Sequence, residues 1–263
     1  MTTPTATDST PTAVLDRVSL VLDAFDGPGR LTLSQVVQRT GLPRSSAHRM
    51  LERFVAMRWL RRDGRVYELG NRLVELGSIA VHQNRLHAAA APILQELHRV
   101  TGYVVHLGVL DDPDVLYLDK VGGRLAADLP TRVGSRYPAR GSAIGKALLA
   151  YTPNGSDELT GFTPELRRVR ELGVAYEVSQ ISGGIGIIAV PIGPVGGVHA
   201  AVSICGPSEH IKFDHRHASP VRMAANAIFH SLTGHDSGAA PIAHRNRLES
   251  LPSSTARRHL QYA

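Results

Sequence analysis

The chain of 263 residues has one cysteine, Cys205, so no disulfide can form within it and a small disulfide-stapled secreted fold is excluded. A single thiol fits a reducing interior, and the cytoplasm is the expected compartment. The opening "MTTPTATDSTPT" lacks the basic start and apolar centre of a secretory signal, and residues 1–11 are expected to be a disordered lead-in. From Val178 to Ser208 there is no Asp, Glu, Lys or Arg, a run long enough to raise the question of a membrane span. Its glycines and prolines argue against a spanning helix. "GIGIIAVPI" and "VHAAVSICG" read instead as two apolar strands joined by the glycine-rich turn "GPVGG".

Chemistry-bearing motifs are also scarce. "GSAIGKAL", Gly141 to Leu148, resembles a phosphate-binding loop, but it is one residue short between its glycines, and Ala147 follows Lys146 where a magnesium-binding hydroxyl belongs. "GIGIIA", Gly184 to Ala189, matches a dinucleotide pattern without the strand, turn and helix that would give it meaning. His210, Asp214, His215 and His217 lie close in sequence but fit no zinc spacing, and no order of Ser, His and Asp suggests a hydrolase. No catalytic residue, cofactor or metal is expected. The competing reading is a small-molecule or nucleotide-binding enzyme with an accessory DNA-binding domain, and Lys146 would be its first residue to test.

What is present is a concentration of charge. With 43% hydrophobic and 20% charged residues the chain reads as globular, and its formal charge is +6. Between Arg39 and Arg65 eight arginines face only Glu52 and Asp63, so this segment alone carries +6 and the remainder is neutral. Charge gathered this way points to a local polyanion contact.

The same segment has an ordered architecture. "VLDRVSLVLDAF" sets Val14, Val18, Val21, Leu22 and Phe25 at helical spacing, and "DGPGR" breaks it. "LTLSQVVQRTG" follows, with Ser34 or Thr32 as N-cap and Gly41 as the stop. A longer helix then begins at Pro43 and turns Ala47, Met50, Leu51, Phe54 and Val55 inward. This is a helix-turn-helix. Arg44, Ser45, Ser46, His48 and Arg49 are left on the outer face of the second helix's first two turns, the part that meets base edges in the major groove. Arg44 can reach guanine through paired hydrogen bonds, Ser45 and Ser46 suit any edge, Arg49 or Arg53 suits phosphate, and His48 suits either. "WLRRDGRVYEL" reads as a hairpin turning at Asp63 and Gly64, a wing that carries Arg61, Arg62 and Arg65 to the DNA backbone.

Beyond the wing, residues 70–100 read as helical, with Leu73, Leu76, Ile79 and Ala80, then Ile93, Leu94, Leu97 and Val100, at helical intervals. "YVVHLGVL" and "DVLYLDKV" are β-rich around the turn "DDPD". Together with the later strands and a helix starting near Ser142, they predict an α+β domain whose sheet is covered on one side. "LSQVVQRTGLPRSSAHRMLERF", "WLRRDGRVYELG", "NRLVELG", "VTGYVVHLGVLDDPDVLYLDKV", "RVGSRYPARGSAIGKALLA" and "GGIGIIAVPIGPVGGVHAAVSICGP", in this order, resemble the IclR family of bacterial transcription regulators over about residues 13 to 235.

The resemblance implies a GAF-like fold for the second domain and a small organic effector beside "GSAIGKAL", where a helix N-terminus attracts a carboxylate as readily as a phosphate. It also implies a dimerisation role for the helical region. The matching effector positions are Ala143, Ile144, Gln180, Ile187, Ser203 and Cys205. Gln180 replaces a usual acid, and Ile187 and Cys205 depart from the commoner cysteine and serine, which predicts a more apolar ligand or one with fewer hydrogen bonds. The segment Tyr151 to Gly173 is short for the family.

The full expectation is an α/β (α+β) chain. It comprises a winged helix-turn-helix over 12–69, a helical linker over 70–100, a GAF-like effector-binding domain over 101–235 and a disordered tail over 236–263. Its function is sequence-specific transcription regulation, by repression, as a homodimer or homotetramer. Its partners are double-stranded operator DNA and a small effector, with no membrane.

Overall fold

A computed structural model describes residues 14–27, 29–111, 113–152, 163–179, 184–197 and 200–234. The lead-in, the tail, the middle of the short Tyr151–Gly173 segment and Gln180 fall outside these residues. By packing, the described residues up to Leu107, together with Tyr117–Ser135, make one compact unit; Gly108–Leu116 and those from Arg136 onward make another.

The first unit opens with α1 (Val14–Asp23), β1 (Arg30–Thr32), α2 (Leu33–Thr40), α3 (Arg44–Ala56), β2 (Leu60–Asp63) and β3 (Val66–Leu69). Val21, Val36, Ala47 and Leu51 are wholly buried, and Phe25, Phe54, Leu60 and Tyr67 close the core around them. Met50 and Val55, expected inside, are half-buried at its edge. The wing is three-stranded, in the antiparallel order β1-β3-β2. Sequence reasoning missed β1 because three residues are too few to show a period. The hairpin turns at Gly64–Arg65 rather than Asp63–Gly64, since Asp63 pairs with Val66 as the last residue of β2. Gly64, with φ 57°, supplies the left-handed conformation the turn requires.

Two helices follow, α4 (Asn71–Gln83) and α5 (Arg85–Thr101), divided at Asn84, whose side chain caps α5 by accepting from the His87 N–H at 3.0 Å. Helix α4 buries no residue of its own: Val74 is 68% and Ile79 49% exposed, with Leu76 and Val81 beside them.

Strands β4 (Val104–Asp111) and β5 (Asp114–Val121), helix α6 (Arg124–Asp128) and strand β6 (Arg136–Pro138) come next. Helices α7 (Ala143–Tyr151) and α8 (Pro164–Leu172), strands β7 (Ala175–Ser179), β8 (Ile185–Ile192) and β9 (Ala200–Pro207), and helix α9 (His215–Gly234) complete the chain. The six strands order β6-β5-β4-β9-β8-β7.

In the second unit the sheet is covered on both sides, not one. Helix α7 packs on β7, β8 and β9, and Lys146 reaches Glu177 on one face of β7. The neighbouring Tyr176 points the other way and donates to the Ile211 carbonyl at 3.3 Å, on the side where α9 packs. Burial from both sides explains the charge-free run: nearly every residue of β8 and β9 is buried, so neither strand alternates.

In the first unit, Lys120 donates to the carbonyls of Ala126 (2.6 Å), Leu129 (3.2 Å) and Thr131, fixing the loop after α6. This loop holds Thr131 Oγ1 at 2.9 Å from Nε2 of the buried His106, which also meets the Tyr117 ring edge-on. Burial, aided by the Lys120 charge, pushes His106 down to about 3. The unfolded histidine takes up a proton near its ordinary value of about 6.5, which the folded one refuses. The unfolded state therefore binds more protons across that window, and stability falls as pH drops from about 6.5 toward about 3, by at most about 1.4 kcal/mol per pH unit. Urea denaturation at several pH values should show this slope in the native chain and lose it in His106→Gln; an unchanged slope would rule His106 out as its source.

Candidate nucleic-acid interface and effector site

The helix-turn-helix owes its shape to local chemistry. Thr32 is the N-cap of α2 in a reciprocal capping box: its hydroxyl accepts from the Gln35 N–H at 3.4 Å, and the Gln35 side chain accepts from the Thr32 N–H at 2.8 Å. Gly41 ends the helix at φ 66°. Pro43 is the N-cap of α3 rather than its first residue, and α3 begins at Arg44.

From this start Arg44, Ser45, His48, Arg49 and Arg53 are exposed, while Ser46 is half-buried beside Ala47. The Arg44 guanidinium donates to Ser34 Oγ at 3.1 Å, which ties the first arginine of α3 to the first turn of α2. Ser34, Arg44, His48, Arg62, Arg65 and Tyr67 border an open groove of about 430 Å³ between the helices and the wing.

The wing arginines differ in their engagement. Arg61 pairs with Glu68 across the hairpin at 2.9 Å. Arg62 donates to Glu52 on α3 at 3.0 Å and to the Gly64 carbonyl at 2.8 Å, and its guanidinium carbon lies 5.5 Å from the centre of the Tyr67 ring. The Tyr67 hydroxyl donates to the same Glu52 oxygen at 2.8 Å; burial first, and this carboxylate second, raise its pKa. Arg65 stands exposed in the turn. No ion pair is found for Arg49, Arg53 or Arg65 among the described residues. Glu52 entered the sequence reading only as an opposing charge; its role as the point where wing and helix meet is visible only in three dimensions.

In the second unit, antiparallel pairing sets Ile187 opposite Cys205, Ala189 opposite Ser203 and Glu177 opposite Ile187. Directly paired residues share a face. Ile187, Ser203 and Cys205 therefore stand together on the face that α7 covers, and Glu177, which the sequence reading did not single out, joins them there. Ala143 and Ile144 are buried in the first turn of α7. Gln180 lies outside the described residues.

"GSAIGKAL" is a helix start. Ser142 Oγ accepts from the Gly145 N–H at 3.1 Å as the N-cap of α7. Lys146 lies 2.9 Å from Glu165 and 3.4 Å from Glu177; burial works against its charge, but these two carboxylates outweigh it and raise its pKa. The lysine is thus committed to carboxylates of this chain. Near α9, the Asp214 carboxylate caps the helix by accepting from the His217 N–H at 3.0 Å and meets the His217 ring at 2.7 Å. No group of three metal-binding side chains occurs among the described residues, and no helix there is long and apolar enough to cross a membrane.

Residues 14–64 match the IclR helix-turn-helix domain, and residues 78–230 match the bacterial transcriptional regulator IclR C-terminal domain. The chain belongs to the IclR family. It is 31% identical over 201 residues to the HTH-type transcriptional regulator XynR of Escherichia coli, covering 68% of this chain and 79% of that one. Over 242 residues it is 26% identical to KdgR of Dickeya chrysanthemi, covering 82% and 78%. A crystal structure of an IclR homolog from Microbacterium hydrocarbonoxydans, complexed with 4-hydroxybenzoate, superposes with a TM-score of 0.74 at 28% identity, covering 84% of this chain and 100% of that one. The chain is an IclR-type transcription regulator, with an N-terminal DNA-binding helix-turn-helix and a C-terminal effector domain, and its relatives are named as regulators rather than enzymes.

Gly145 shows how closely α7 is seated. A Cβ there would lie 2.0 Å from the Ala139 carbonyl oxygen and 2.4 Å from its Cα, both backbone atoms. Gly145→Ala should displace the start of α7 and cost at least about 2 kcal/mol, as overpacking against backbone does. Thermal denaturation checks it, and a melting temperature within a degree or so of the native value would contradict the close seating.

Proposed function

We propose that this regulator is a cytoplasmic repressor that binds a near-palindromic operator as a symmetric homo-oligomer and responds to a small organic carboxylate or partly apolar effector. The observation that carries the DNA-reading part is the exposed polar start of α3, where Arg44 and His48 border the same groove as the wing's Arg65. In this reading Arg44, Ser45, Ser46 and His48 meet base edges, while Arg49, Arg53 and Arg65 meet phosphates. Arg61 and Arg62, already paired with Glu68 and Glu52, act mainly by shaping the wing.

Self-association is supported by α4, whose apolar side chains Val74, Leu76, Ile79 and Val81 are left exposed by the described residues. A two-fold arrangement would set two recognition helices about one turn of DNA apart. The effector reading rests on the first turn of α7 and on the face holding Ile187, Ser203 and Cys205. The carboxylate class gains support from the Microbacterium homolog's complex with 4-hydroxybenzoate. Such a ligand controls the operator only by binding one arrangement of the DNA-binding heads better than another, and a difference of about 1 to 3 kcal/mol suffices.

Fluorescence-anisotropy titration with a duplex selected from a random pool, and with its scrambled counterpart, tests the base-reading assignment. Arg44→Ala should cost about 1 to 3 kcal/mol on the selected duplex and little on the scrambled one. Arg65→Ala should weaken both alike and lower the salt slope by about one ion. Equal losses on the two duplexes for Arg44→Ala would remove Arg44 from the base-reading set. For self-association, Ile79→Glu should lower the sedimenting mass toward that of one chain, and an unchanged mass would place the interface elsewhere.

A further inference from the structure

We propose that Glu52 is a specificity-determining positioning residue, which holds the wing's Arg62 against the recognition helix and away from DNA phosphate. This inference rests on the DNA-reading proposal above and goes beyond it, because Glu52 touches no base and opposes every phosphate.

Three side chains converge on one oxygen, Oε1 of Glu52: Arg62 Nη1 at 3.0 Å, the Tyr67 hydroxyl at 2.8 Å and His48 Nε2 at 3.9 Å. Two of these belong to the wing, and the third belongs to α3, one turn ahead of Glu52 and bordering the groove. Glu52 is the one acid in α3. A carboxylate inside a segment of net charge +6 repels the polyanion that the segment attracts, so its presence there weakens DNA binding in general. What it supplies in exchange is geometry. Arg62 is held from three directions, by Glu52, by the Gly64 carbonyl and by the face of the Tyr67 ring. A guanidinium satisfied in this way has little to gain from a phosphate, while the wing that carries it keeps a fixed angle to α3.

Two consequences follow from the latch. Affinity for any DNA is held down, because one wing arginine is kept from making a phosphate contact. Base reading is preserved, because Arg44 and His48 keep their placement relative to the wing. Glu52 thus raises the ratio of specific to non-specific binding by lowering the non-specific part. A residue that only braced the fold would lower both affinities together when changed.

The experiment uses the full-length chain in anisotropy titrations across a salt series, on a selected and a scrambled duplex. Glu52→Gln keeps the shape and an oxygen for Tyr67 but removes the charge. It should tighten binding to scrambled DNA by about fivefold and steepen the salt slope by about one ion. The gain on the selected duplex should stay under about twofold, so that discrimination falls. In an Arg62→Ala background the same change should tighten scrambled binding by under about twofold, the part due to relief of the carboxylate's own repulsion, because the released arginine is absent. Arg62→Ala alone offers a route that leaves Glu52 intact: it should reduce discrimination while changing the salt slope by less than about half an ion.

The proposal is overturned by any of three results: equal weakening of both duplexes by Glu52→Gln, a gain of about fivefold that persists in full without Arg62, or a salt slope that falls by about one ion in Arg62→Ala. Because the gain on scrambled DNA needs no operator, failure of the native chain to prefer the selected duplex would count against the base-reading assignment alone.

Discussion

The DNA-binding head depends on how the eight-residue helix α2 is closed at its two ends. A helix so short is marginal alone, because its unpaired terminal N–H and C=O groups outnumber its internal hydrogen bonds. The Thr32–Gln35 box satisfies donors at one end, and Gly41, turning left-handed, satisfies an acceptor at the other by donating its N–H to the Val37 carbonyl at 2.9 Å. With both ends fixed, the chain re-enters at Pro43 in a single direction, and α3 presents Arg44, Ser45 and His48 outward while Ala47, Leu51 and Phe54 are buried. The Arg44–Ser34 hydrogen bond is built on that placement and could not form if α2 frayed.

A different constraint governs the second unit. Strands β8 and β9 are enclosed on both faces, so they tolerate no charge, and the polar chemistry of this unit is displaced to its margins. Lys146 projects from α7 to Glu165 and Glu177, and Ser142 spends its hydroxyl on the Gly145 N–H. The first turn of α7 is set into place by the contact between Gly145 and Ala139, too close for any side chain. A helix start fixed to that degree over an apolar sheet face is what the proposed effector reading relies on, because its N–H groups point in a set direction and carry partial positive charge.

Much of the first unit was legible in the sequence because its signals are local. Caps, glycine stops, a hairpin turn and a 3.6-residue period each act within a few positions, and all of them are present in order between Val14 and Leu69. Local signals fail where an element is very short or where a pairing shifts by one residue. Strand β1 escaped notice for the first reason, and the Gly64–Arg65 turn was placed one residue early for the second. In the second unit the apolar runs were legible as strands, yet their facing was not. A strand buried on both sides has no alternation to read, so two-sided cover was mistaken for one-sided cover, and Glu177 went unrecognised beside Ile187.

By itself, then, the sequence determined the helices and hairpin of the DNA-binding head, the concentration of charge, most of the inward and outward faces of α3 and the resemblance that names the family. These depend on intervals between neighbours along the chain, which no folding can change. Tertiary structure alone decided which arginines are engaged and which stand open, that Lys146 answers to carboxylates rather than to a phosphate, and that Glu52 joins helix to wing. Those outcomes depend on distances between residues seven or more positions apart, and a charge written in a sequence says nothing of which opposite charge will come within about three ångströms of it.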